Sequence, residues 1–141
     1  MTEEQRLSTV EKVLFLKSVG IFSQAAIEEL GRIATLMQEV RFETRETIYR
    51  EGNPIDAIYV ILRGRVAVQS SGQVVREVGE HHVVGALAAL DLGAALRTVT
   101  ALEPVYALKL NVQDFQDLLA SDFDLVKAVF RVVAQQIRTG F

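Results

Sequence analysis

The sequence predicts a mainly β domain with flanking helices, and three observations carry that expectation. Apolar residues at helical intervals, preceded by capping residues, occupy both ends of the chain. Between about residues 39 and 110, short β-type runs alternate with glycine- or proline-containing punctuation at the spacing of an all-β barrel or sandwich. Half of the 141 residues are hydrophobic, enough for one packed core. We expect a single domain over 1–141. Its N-terminal helices fall at about 8–37, a β-roll at about 39–110 holds an inserted helix at about 86–91, and closing helices fall at about 112–138.

Each element has its own signal. Ser8 and Glu11 have capping-box spacing, and Val10, Val13, Leu14 and Lys17 follow at helical intervals, which predicts a short helix over 8–17. After a break at Val19-Gly20-Ile21-Phe22, Ser23 is placed to cap a second helix whose Ile27, Leu30, Ala34 and Met37 share a face. The β runs are 39–42, 47–50, 57–63, 65–70, 74–78, 97–102 and 105–110. Gly52-Asn53-Pro54, Gly64, Ser71-Gly72, Gly79-Glu80 and Glu103-Pro104 supply the turns between them. Residues 57–62 are apolar on both faces, as a central strand is, whereas Val66 and Val68 alternate with their neighbours and suggest one wet face. Asn111 is placed to cap a helix carrying Phe115, Leu118 and Leu119, and Ser121 to cap the last helix, with Asp122 and Asp124 in its first turn. Val126, Val129, Phe130, Val133 and Ile137 then form an apolar stripe that packs on the domain or serves as half of a homodimer seam.

Charge and composition exclude several classes. A formal net charge of -3 gives no field that attracts phosphate backbones, so no nucleic-acid binding by this chain alone is expected. Without cysteine there is no disulfide and no thiolate metal site, which fits a reducing compartment. The opening MTEEQRLSTVEK is acidic and polar rather than basic then apolar, and no run approaches the length of a membrane span. The expected location is cytoplasmic, or the cytoplasmic side of a membrane within a larger membrane protein, with no direct membrane insertion. No GxSxG, HExxH or P-loop pattern occurs, and no carboxylate pair sits in an apolar setting. His81-His82 reads as a solvated turn, because adjacent residues do not converge on a metal. An enzyme is not expected, and no catalytic or metal-binding residue is assigned.

One stretch stands apart. Residues 83–102, VVGALAALDLGAALRTVTAL, carry only Asp91 and Arg97 as charged side chains and lie between strand-like runs. An apolar helical turn followed by one cation suggests a ligand cradle or the remains of one. Arg97 opens the next strand, where it binds an anion or points into solvent.

The order of elements resembles the cyclic nucleotide-binding domain family, which includes the effector domains of catabolite activator proteins and the regulatory domains of protein kinases and ion channels. The local matches are VLFLKSVGIFS before the second helix and YREGNPIDAIYVILRGRVAV. The latter carries the family's pattern in Arg50, Glu51, Gly52, Asp56, Tyr59, Val60 to Leu62 and Gly64. The resemblance implies a double-stranded β-helix, a jelly-roll barrel. It also implies a phosphate-binding cassette, which here keeps Gly85, Leu87, Ala88 and the strand Thr98-Val99-Thr100-Ala101. The family's glutamate, which accepts the ribose hydroxyl, falls on Ala86. The arginine that pairs with the cyclic phosphate falls on Ala95, the proline before it on Ala94, and Arg97 lies two residues late. The candidate pocket is therefore Gly85, Ala86, Leu87, Ala88, Ala95, Leu96, Arg97 and Thr98.

A hydrogen bond to a charged group contributes about 1.5–3 kcal/mol, and losing one partner of a buried charge pair costs about 2–5 kcal/mol. Together these losses lower affinity at least several hundredfold, since about 1.4 kcal/mol is tenfold. The expectation is a non-enzymatic regulatory or sensor domain, part of a larger protein or assembly, in which ordinary cyclic-nucleotide binding is weak or lost and no other cofactor is implied. The alternative is a working cyclic AMP or cyclic GMP sensor that uses Arg97 for the phosphate. Expected partners are a second copy through the C-terminal helix, and host-protein domains or a regulated partner. In DNA-binding relatives a helix-turn-helix follows the long closing helix, and nothing in residues 138–141 is suited to enter a groove.

Overall fold

The computed structural model describes residues 7–90 and 93–138, apart from the side chain of Gln136. Helix α1 (Thr9–Lys17) starts where the capping box places it, with Glu11 donating its amide to Ser8 Oγ and the Glu11 carboxylate accepting the Ser8 amide. A single 3-10 turn, Gly20–Phe22, buries Ile21 and Phe22 before α2 (Ile27–Leu36). Ser23 does not cap α2. Its hydroxyl donates to the Gly20 carbonyl at 2.8 Å and closes the 3-10 turn, so α2 begins later, with the Glu29 carboxylate accepting the Ala26 amide at 2.9 Å.

The strands are β1 (Gln38–Phe42), β2 (Thr47–Tyr49), β3 (Ala57–Arg63), β4 (Val66–Ser70), β5 (Gln73–Val78), β6 (Val83–Val84), β7 (Thr98–Ala101) and β8 (Val105–Asn111). They form two antiparallel four-stranded sheets, ordered β1-β8-β3-β6 and β2-β7-β4-β5. Helix α3 (Ala86–Leu90) is the inserted helix, and Asp91, its expected last residue, lies outside the described residues. Helices α4 (Val112–Ser121) and α5 (Phe123–Arg138) close the chain.

The architecture corrects the expected fold class in two respects. The two sheets do not close into a jelly-roll barrel: among the described residues each keeps its own free edges. The end strands β2 and β6, of 3 and 2 residues, are too short to continue a ladder into the other sheet. The helices also hold more residues than the strands, so the fold is a mixed α/β arrangement of two open sheets with flanking helices, not a mainly β one.

In the sheet β1-β8-β3-β6, the central strands β8 and β3 contribute buried residues to both faces. Ile58 and Val60 on β3, with Leu108 and Leu110 on β8, face Leu16, Phe22, Leu30, Ile33 and Phe115 in the helical layer. Ile61, Val105 and Ala107, with Val84 of β6, face Tyr49, Val66 and Val99 across the gap to the second sheet. This is why 57–62 reads as apolar on both faces, and β3 does run between β8 and β6. The wet face expected of β4 is drier than its sequence suggests, because Ala67 is flanked by Glu77 and Thr100 on the neighbouring strands and is buried between them.

The caps of the closing helices differ in the same way as that of α2. Asn111 has N-cap backbone geometry but makes no side-chain cap bond, while the Val112 amide donates to the Asp56 carbonyl at 2.9 Å. Ser121 ends α4, and Asp122 caps α5 by accepting the Leu125 amide at 3.0 Å while pairing with Arg32.

Phe115 joins α4 to the rest of the core through an edge-to-face contact with Phe22 at 6.4 Å, and both rings are fully buried. Truncation leaves a cavity that the surrounding helices and β3 cannot fill. Phe115→Ala is expected to lower the unfolding free energy by about 3–5 kcal/mol, read as a shifted guanidinium midpoint at unchanged slope.

Candidate functional site

Tyr49 fixes the floor of the site. Its buried hydroxyl donates to the Ala57 carbonyl at 2.5 Å and lies 3.1 Å from the Val84 carbonyl, tying β2 to β3 and to the end of β6. Burial, and then the neighbouring Tyr59 and Asp56, hold its pKa far above the ordinary tyrosine range. Gly85 follows directly, at φ +90°, where a Cβ would collide with the Tyr49 hydroxyl and ring. Only glycine fits there, and the Gly85 carbonyl accepts the Ala89 amide at 3.0 Å to open α3. The far end of α3 is held by Gln116 of α4, whose Nε2 donates to the Ala89 carbonyl at 2.5 Å and lies 3.3 Å from the Leu90 carbonyl.

The opposite wall is the inner face of the second sheet. Val68 on β4 stands across from Arg76 on β5 and from Val99 on β7. Residues two apart on a strand share a face, so Val78 points the same way as Arg76, and Arg97 borders the same space just before β7 begins. Between this face and the Gly85–α3 segment lies a cavity of about 750 Å³, with Val132 and Val133 of α5 at its side.

Seven of the eight expected residues meet in this cavity: Gly85, Ala86, Leu87 and Ala88 on one wall, and Ala95, Leu96 and Arg97 on the other. Thr98 does not line it, and its Oγ1 instead accepts the Glu51 amide at 2.9 Å. The Glu51-Gly52 turn is thereby held against residues 94–98, and two further bonds secure it, Gly52 N–H to the Ala95 carbonyl at 2.9 Å and Ala95 N–H to the Asn53 carbonyl at 2.8 Å. At the two positions where a glutamate and an arginine were sought, Ala86 and Ala95 present only methyl groups. The Arg97 guanidinium sits exposed at the rim and donates to the adjacent Leu96 carbonyl at 2.9 Å.

Comparison with known proteins agrees with this geometry. Residues 39–122 match the model of the cyclic nucleotide-binding domain. The chain belongs to the cyclic nucleotide-binding domain family. It is a regulatory or sensor domain of that type, not an enzyme fold. An uncharacterised NTE family protein of Mycobacterium tuberculosis is 28% identical over 124 residues, covering 87% of this chain and 21% of that protein. The chain therefore spans about a fifth of that relative's length. Among solved structures, the N-terminal domain of a transcriptional regulator from Streptomyces coelicolor A3(2) superposes with a TM-score of 0.76 at 28% identity, covering 89% of this chain and 92% of that one. A mutant regulatory subunit of a cAMP-independent protein kinase A from Trypanosoma brucei, bound to cAMP, superposes with a TM-score of 0.75 at 26% identity, covering 91% and 46%.

Sequence reasoning missed Tyr49, Arg76 and the α5 residues as parts of the site. For Arg76 a signal existed, since it lies two residues before the buried Val78 on one strand and so shares its face. For Tyr49 and α5 the contacts are set by packing between distant segments, which no local pattern announces. His81 lies in an exposed turn, as expected, and also makes contacts that the expectation did not include. Its backbone is left-handed at φ +70°, its ring stacks on Phe15 at 4.5 Å, and Nδ1 lies 2.5 Å from Ser18 Oγ. The cause is the half-buried Phe15 ring of α1, a flat apolar surface that the imidazole covers.

Because the folded state holds the Tyr49 proton that the unfolded chain gives up above pH about 10, stability is fully present below that pH and falls as pH rises beyond it. Tyr59, pushed up chiefly by burial and then by Asp56 and Glu46, adds to the same fall. Tyr49→Phe is expected to cost about 0.5–1.5 kcal/mol at pH 7 and to flatten the alkaline decline, measured as urea midpoints between pH 7 and 11.

Proposed function

We propose that this domain serves as the regulatory module of a larger protein or assembly, at a cytoplasmic location, and that its cavity no longer captures cyclic AMP or cyclic GMP with ordinary affinity. The carrying observation is the pair Ala86 and Ala95, which line the cavity where the family's ribose acceptor and phosphate partner belong. The Trypanosoma relative supports the reading, since a regulatory subunit from a cAMP-independent kinase holds cAMP in a mutant form. Among the described residues no helix is long and apolar enough to cross a membrane. Arg97 favours the alternative of a working sensor, because its guanidinium borders the same cavity.

Calorimetric titration separates the two readings. The native chain is expected to show no saturable heat with either nucleotide at micromolar concentration. Ala86→Glu combined with Ala95→Arg is expected to gain affinity by about a hundredfold or more. Micromolar binding by the native chain that Arg97→Ala abolishes would establish the sensor instead.

The partner we propose for α5 is a second copy of the chain. Leu125, Ala128 and Val129 face the core, yet Phe123, Phe130 and Ile137 are 72%, 71% and 60% exposed. With the half-buried Val126 and Val133 they recur at alternating steps of three and four, the spacing of a two-helix seam that carries no charged residue. Sedimentation should find a dimer at micromolar concentration, and Phe130→Asp should render it monomeric with little loss of monomer stability, since Phe130 contributes little to the core. A monomeric native chain would reject this seam.

A further inference from the structure

The cavity described above has its polarity arranged in an unexpected sense. Its inner surface is apolar: Ile55, Val68, Val84, Ala88, Ala95 and Val99 line it, and the one buried hydroxyl, that of Tyr49, is already committed to backbone carbonyls. The inner side chains offer a ligand no free hydrogen-bonding group, and burying a polar group unpaired against them is unfavourable. Its charges lie at the rim. Arg76 on β5 and Arg97, which directly precedes β7, lie on the two chain segments that flank β4, and both line the cavity. Two long guanidiniums bordering one opening can converge on a single anionic group. His81 and His82 border the same opening, and no carboxylate lines the cavity among the described residues. Glu51, at the same end of the sheet, has its carboxylate occupied by the Ser71 amide at 3.1 Å. Val75, Leu87 and Leu96 complete an apolar collar that is about half exposed at 53%, 45% and 56%, a surface that an occupant would cover.

We infer that this cavity takes a single-chain amphipathic anion, with its apolar body inside and its carboxylate or phosphate head at the rim between Arg76 and Arg97. The inference rests on the reading that cyclic nucleotides are not the ligand, and it places the anion at the exposed rim rather than against the buried Ala95. An apolar body needs none of the polar contacts that Ala86 and Ala95 withhold. The head meets two cations that no described carboxylate pairs with.

The test is titration calorimetry of the native chain with dodecanoate and dodecyl phosphate below their micelle concentrations, with dodecanol and acetate as matched body-only and head-only probes. Binding of either anion at one per chain, at least about tenfold tighter than dodecanol and with no acetate binding, is expected, and the tighter of the two anions identifies the head. Arg76→Ala combined with Arg97→Ala, both exposed positions, should weaken the anion by about tenfold or more and leave dodecanol unchanged. Equal affinity for dodecanol, an unaffected double variant, or no binding of either anion would overturn the inference. Cyclic AMP titrated in parallel distinguishes the two failures: micromolar binding of cyclic AMP removes the reading beneath it, whereas silence toward both cyclic AMP and the amphipaths removes only this inference.

Discussion

The contact between Tyr49 and the backbone around Gly85 governs the geometry of the site. One buried hydroxyl holds β2 against β3 and the end of β6, and the ring beneath it leaves room for no side chain at residue 85. Gly85 must then take its left-handed turn, and that turn aims α3 along the cavity. The same hydrogen bond removes the most obvious polar handle from the cavity floor. A tyrosine committed to backbone carbonyls thus leaves the interior side chains chemically plain, and recognition is displaced to side chains around the opening.

How much of this was legible in the chain differs by scale. The helix starting at Ser8 and the central strand around Val60 were readable because their signals are local: a reciprocal cap at one, an unbroken apolar run at the other. Caps that depend on competition were not. Ser23 and Ser121 have the right chemistry to begin helices, but each hydroxyl finds a carbonyl three residues back, and other residues open the helices that follow. Strand β6 escaped notice because two valines have no period to detect. The barrel expectation failed for a related reason, since closure depends on the pairing of strand edges and the sequence shows only where strands occur.

The site divides along the same line. The cassette alignment located seven cavity residues because they lie in two short segments, 85–88 and 95–97. Thr98, the eighth, does not line the cavity, because alternation along β7 turns its side chain away from that of Val99 and toward the Glu51 amide. Arg76 belongs to a strand with no family signature, and its role follows only from the register that sets it opposite Val68.

Gln116 gives the architecture a mechanical character. Its amide grips the last two carbonyls of α3 from α4, and the Gly85 turn is the other attachment of that short helix. The helix is therefore a strut pivoted at one end and coupled to α4 at the other. Any displacement of α3 must either break the Gln116 grip or be transmitted to α4, whose end is joined through Asp122 to the start of α5. Information about the cavity thus has a covalent and hydrogen-bonded route to α5 that does not depend on the identity of the occupant. Loss of the nucleotide-capturing side chains changes the input to that linkage and leaves the linkage itself intact.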